Sequence, residues 1–198
     1  MKKLLFGFLI LICFLNANAT NSVDTKFDMK KKVFVQQLWK LYPEWATGIG
    51  YHKYDSVLTV YDAKQRKKEI DFCNNGLKLV ASYKNVPLSD LNKTDLYLIE
   101  TFCQQVIFQV NTQKSYEWNP AEYNVGNSFA YIISENYAPL KRRIDNFYIK
   151  LKNVPAYYEA AKQNIKNPSN EYLQLAIDQN EGSLSIFESD YVDSVKAL

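Results

Sequence analysis

From Phe34 onward the apolar residues return at intervals of three and four and almost nowhere at two. That recurrence places them along one face of a helix, whereas a half-buried strand needs strict alternation. The chain therefore predicts an all-α fold, an array of about six to seven helices. Phe34, Leu38 and Leu41 mark a first helix over 29–41, which Pro43 interrupts. Ile70, Cys73, Leu77 and Val80 mark a second, over about 62–83. Leu96, Ile99, Cys103, Val106 and Val110 form the seam of a third, with Asn92 fitting its N-cap and Asp95 its positive first turn. The short link Asn85-Val86-Pro87 makes an antiparallel hairpin of the second and third helices. Further on, Phe129 to Tyr137 predicts a short helix, and Leu140, Ile144, Phe147 and Leu151 the next. Tyr158, Ala161 and Ile165 carry a stripe behind Pro155, which suits a first helical turn. A last helix runs from about Glu171 into Ile177. Residues 44–60 read as a loop. After Gly182 an amphipathic stretch begins and ends at Leu198 without a cap, which reads either as a chain cut short or as a frayed terminal helix.

The first residues read as a leader rather than as fold. Met1-Lys2-Lys3 is cationic, Leu4 to Leu15 is apolar, and Ala17-Asn18-Ala19 has the small-x-small form of a signal-peptide cleavage site. The apolar run is shorter than the ~20 residues needed to span a bilayer. Ile12 precedes Cys13 where a lipidation site wants a small residue, so cleavage after Ala19 is expected. The mature protein should then be secreted or periplasmic, with no membrane attachment. Residues 20–28 are polar and read as a flexible N-terminus, and 29–198 as the helical domain.

Composition removes several kinds of function. The chain holds 24 Lys+Arg against 21 Asp+Glu, a formal charge of +3, and no basic stripe, which argues against a dedicated nucleic-acid binder. One His excludes any zinc centre built from two or more histidines of this chain. No nucleophile elbow or phosphate-binding glycine loop is present. His52, in Gly50-Tyr51-His52-Lys53-Tyr54-Asp55, reads either as a general base or hydrogen-bond partner, or as a loop-packing histidine bonded to backbone or to Asp55. Tyr51, Tyr54, Tyr116, Trp118 and Tyr123 crowd two loops and read either as a peptide or sugar groove or as helical packing. Cys73 and Cys103 lie at similar distances from the hairpin link, so they read either as a disulfide or as two buried thiols. Arg142-Arg143 reads as a solvated helix face.

Three islands carry a family likeness. The first is the frame Pro43-x-x-Ala46-Thr47-x-x-Gly50-x-His52-x-Tyr54-Asp55. The second is Trp118-Asn119-Pro120 with Tyr123-Asn124. The third runs from Arg143 through Val154-Pro155-Ala156-Tyr157 and Asn167-Pro168 to Ala176-Ile177-Asp178-Gln179 and Gly182. Together they resemble the N-terminal region of the bacterial family called domain of unknown function 885. That family resembles helical zinc peptidases, whose presumed His-Glu-x-x-Pro-Gly-His-His motif lies downstream of this region and is not in this chain. The resemblance implies that zinc belongs only to full-length relatives and that no catalytic or metal-binding residue carries over. It also implies that the partner of this region is a C-terminal catalytic region of the same protein, with a peptide as substrate.

Two readings of function lead, ahead of a third, a stand-alone enzyme that uses a pair of carboxylates. The first is the N-terminal scaffold or cleft wall of an exported metallopeptidase-like protein, inactive alone. Tyr51, His52, Trp118 and Asn119 are then the residues placed to meet substrate. The alternative is a self-contained exported module that binds peptides or glycans through its aromatic loops.

Overall fold

The computed structural model describes residues 22–198 with their side chains. The leader reading of residues 1–19, with cleavage after Ala19, lies outside the described residues. In chain order the elements are α1 (Lys2–Leu41), α2 (Pro43–Gly48), a 3-10 turn (His52–Tyr54), α3 (Ala63–Tyr83) and α4 (Asp90–Phe108). A π turn (Gln109–Gln113), α5 (Ser115–Trp118) and a 3-10 turn (Pro120–Tyr123) follow. Next come α6 (Asn127–Ser134), α7 (Leu140–Leu151), α8 (Val154–Asn164), α9 (Asn170–Ser185), a second π turn (Ile186–Asp190) and α10 (Tyr191–Lys196). The described residues contain no strand, so the all-α expectation holds. No described helix is long and apolar enough to cross a membrane.

The chain forms two compact units, each built from two separate stretches: residues 1–37 with 71–107, and residues 38–70 with 108–198. In the first, α1, α3 and α4 pack through Phe27, Phe34, Cys73, Val80, Ile99, Cys103 and Val106, all buried. Phe34 stacks on Phe72 at 4.7 Å and Phe27 meets Tyr83 at 5.0 Å. The stretch around residue 24 is not a flexible lead-in. Asp24 accepts hydrogen bonds from the Ser89 amide at 3.0 Å and from Asn92 Nδ2 at 2.9 Å, and Phe27 is wholly buried. Those partners lie more than sixty residues away, which is why a local reading of a polar segment misses them. Ser89, not Asn92, caps α4, because its Oγ accepts from the Asn92 amide at 3.4 Å. Asn92 is buried instead and accepts from Lys31 Nζ at 2.8 Å.

The second unit has its core in Leu58, Tyr123, Val125, Phe129, Ile132, Phe147, Tyr157 and Ala161. Phe129 and Phe147 meet edge to face at 4.7 Å. Phe187 lies 5.0 Å from Phe129, and Tyr191 stacks on Phe147 at 4.3 Å. The stretch after Gly182 thus packs on this core. Arg143 also departs from expectation. It is buried and donates to the carbonyls of Ile132, Ile133 and Ala138 and to Asn136 Oδ1, at 2.6–3.2 Å. Two of those carbonyls close α6, whose last turn has no intrahelical donors left for them.

Glu69 of α3 is buried in this unit, and burial pushes its carboxyl up to about 7 against the pull of Arg66 and a hydrogen bond from Tyr42. Between pH 5 and 7 the unfolded chain has released this proton while the folded chain still holds it. Folding stability therefore falls across that window, by about 2 kcal/mol from this group. Glu69→Gln should flatten the slope between pH 5 and 7 in urea titrations. An unchanged slope would show that Glu69 is ionised throughout.

Candidate functional site

The segment 43–61 folds upon itself before it meets anything else. Pro43 starts α2, and Thr47 at its end is buried with Oγ1 2.7 Å from Asp55 Oδ1. His52 presents Nδ1 to the same carboxylate, at 3.3 and 3.2 Å from its two oxygens. Asp55 has no exposed side-chain surface. Glu44 reaches forward to Thr59, accepting from its amide at 2.9 Å and its hydroxyl at 3.0 Å. So the residues of the first sequence island, Thr47, His52 and Asp55, are partners in one interlocked turn. The His52 ring lies flat on Tyr137, 3.6 Å between centroids and 1° apart, with Tyr131 at 6.2 Å. The Tyr137 hydroxyl is buried without a hydrogen bond of ordinary geometry. Burial first, and then the neighbouring Asp55 carboxylate, hold its proton well above the usual phenol range.

This is an imidazole with one nitrogen held by a carboxylate and a 19% exposed side chain. An imidazole is a hydrogen-bonding and proton-transfer group, and part of this one is exposed. No described hydroxyl or thiol is bonded to it, and no three described His, Cys, Asp or Glu residues are arranged to hold a metal ion.

Tyr51 lies beside Tyr54, 6.0 Å between rings, and is 37% exposed. Trp118 and Asn119 have other neighbours. Trp118 Nε1 donates to the Gln113 carbonyl at 2.9 Å, and its ring meets Tyr172 of α9 at 5.4 Å. Asn119 is buried. Its Oδ1 accepts from the Ala121 amide at 3.1 Å, capping the 3-10 turn, and its Nδ2 donates to Glu122 at 3.1 Å. The Glu117 and Trp118 carbonyls accept backbone amides from the α8–α9 turn, Lys166 and Asn167 on the first and Ser169 on the second. Thus His52 sits against Tyr131 of α6 and Tyr137 beyond it, with Tyr51 exposed beside Tyr54, while Trp118 with Asn119 braces the start of α9.

A groove of about 630 Å³ opens between the 120–124 turn, α8 and α9. Tyr123, Tyr158, Ile165, Ala176 and Ile177 line its apolar part, with Asn124 and Asn180 among its polar groups. Volume and lining match those of ligand pockets in general. A smaller hollow of about 360 Å³ shares Asn124 and Ser183 with it. Those two side chains are hydrogen-bonded to each other, and Asn124 Oδ1 also accepts from the Gly126 amide at 3.0 Å. A Cβ on Gly126 would lie 2.9 Å from Ser183 Cα, so only glycine lets α9 approach this closely. Tyr158 stands on the periodic stripe of its helix, but a stripe alone does not tell a groove wall from a core.

Fold and site define a class: a helical region with a self-locked His–Asp turn and an apolar groove walled by its late helices. The chain belongs to the family described as bacterial protein of unknown function (DUF885), which matches residues 43–198. It is also similar to a solved structure described as "a putative lipoprotein of unknown function from Shewanella oneidensis", with 34% identity and a TM-score of 0.79. The match covers 86% of this chain and 31% of that one, so this chain spans about a third of the relative's length. Among curated proteins none matches.

Proposed function

We propose that this chain is the N-terminal helical scaffold, or cleft wall, of an exported zinc-metallopeptidase-like protein and performs no hydrolysis alone. The partial coverage of a longer relative carries this reading: a region that keeps its fold at 34% identity accounts for only 31% of that chain. Surface chemistry adds support. Beside the groove, α9 exposes Leu173, Leu184 and, at 58%, Ile177, spaced along one helix face. Such a run of large apolar side chains suits contact with further polypeptide. The leader reading of residues 1–19 draws support from the lipoprotein description of the Shewanella oneidensis protein.

The test uses the purified chain. Metal analysis should find well under one zinc per chain, and peptide libraries should show no hydrolysis above blank. An environment-sensitive dye should bind, and Ile177→Asp with Leu184→Asp should cut that signal at least severalfold. Stoichiometric zinc with chelator-sensitive hydrolysis by this polypeptide would overturn the proposal. A chain that binds no dye would remove the surface argument.

A further inference from the structure

We infer that Cys73 and Cys103 are a disulfide-forming pair that covalently joins α3 to α4 when the chain folds in the presence of a small-molecule disulfide. The two cysteines are not joined by a disulfide in this structure, both are completely buried, and both lie in the same compact unit. Their side chains are hydrogen-bonded to each other, and that contact lowers the Cys103 thiol below its ordinary range despite burial. Gly76, one turn beyond Cys73 on α3, makes the room. A Cβ there would lie 2.5 Å from Cys103 Sγ and 3.8 Å from Ile99. The Cys103 sulfur thus sits in a notch cut into α3 beside Cys73. Phe34 closes the notch from α1, 3.0 Å from that same Cβ position.

The chemistry balances with glutathione disulfide as the oxidant. One cysteine thiolate attacks a glutathione sulfur, forming a mixed disulfide and releasing one glutathione. The second cysteine thiolate then attacks the protein sulfur and releases the other. Two thiols lose two protons and two electrons, and one glutathione disulfide becomes two glutathiones. The mixed-disulfide stage needs access that the packed seam does not give. Oxidation therefore accompanies folding, and the finished bond resists reductants afterwards. The bond closes a loop of about 30 residues, so it constrains the unfolded chain substantially.

The full chain is unfolded with reductant, refolded in a glutathione redox buffer, alkylated and digested with trypsin. The expected product joins peptide 69–78 to peptide 94–114 and is lighter than their sum by two hydrogens. The oxidised protein should melt about 10 °C above the reduced one. In parallel, the chain is secreted into an oxidising compartment and alkylated at acid pH without any refolding step. Recovery of both peptides alkylated or glutathionylated, or of a link that uses Cys13, overturns the inference in either experiment.

Discussion

Arg143→Met should lower the stability of the unit that contains it by about 3–5 kcal/mol, the range seen when a buried charged group's partners are stranded. The guanidinium uses Nε and both terminal nitrogens, donating to Ala138, Ile132, Ile133 and Asn136. Methionine fills the volume but supplies no donor, so buried carbonyls at the end of α6 lose their partners. Lysine keeps the charge but cannot reproduce the planar fork, so Arg143→Lys should fall between the two. Urea unfolding followed by tryptophan fluorescence isolates the effect, because Trp39, Trp45 and Trp118 all belong to this unit. A loss under about 1 kcal/mol would mean that water reaches those carbonyls.

The second large effect has the opposite sign. Lys150 is 1% exposed, donates to the Ser128 carbonyl at 2.7 Å and lies 5.3 Å from the Phe129 ring. Burial drives its pKa down to about 8, and the attraction of Glu44 and Asp55 recovers only part of the loss. Below pH 8 the folded state must hold a charge that the unfolded state solvates freely. Above pH 8 the folded lysine sheds its proton while the unfolded one, near 10.5, keeps it. Stability therefore rises with pH, by about 2 kcal/mol between pH 7.5 and 9.5 from this group. Lys150→Met should remove that rise and, at pH 7, stabilise the unit by about 1–3 kcal/mol after loss of one hydrogen bond. The window stops at pH 9.5 because Tyr61, Tyr137 and Tyr157 hold their protons above the ordinary phenol range and pull the other way beyond it. Equal slopes in the two proteins would mean that Lys150 is solvated while folded.

These two cations also show where sequence reading ends. The stripe Leu140, Ile144, Phe147, Leu151 is legible, and Ile144 and Phe147 are buried as its spacing requires. Arg143 and Lys150 lie one position away from it on the same face, and nothing in local hydropathy separates a buried arginine from a solvated one. On α3 the buried line runs Gln65, Glu69, Cys73, Gly76, Val80, so it begins with an amide and a carboxylate and includes a glycine. An apolar template shifts it to Ile70 and Leu77. Of the site, the Thr47–His52–Asp55 island is visible as a motif, but its closure upon itself and its stacking on Tyr137 are long-range facts. Asn119 resembles a ligand-facing amide in sequence, yet both ends of its amide are spent on the 3-10 turn it caps.

Neither unit is a continuous length of chain. The polypeptide contributes to the first, leaves it at residue 37, returns at 71 and leaves again after 107. A chain threaded out of a ribosome or an export channel from its N-terminus therefore cannot finish the first unit until residue 107 has emerged. By then residues 38–70 of the second are already waiting for partners beyond 108. Exposed α1 and α3 faces in that interval are what a holding chaperone would grip. No single cut releases either unit whole, and joining the termini would leave the segments interleaved, so dissection of this protein calls for paired fragments or a new linker between the two stretches of one unit rather than truncation.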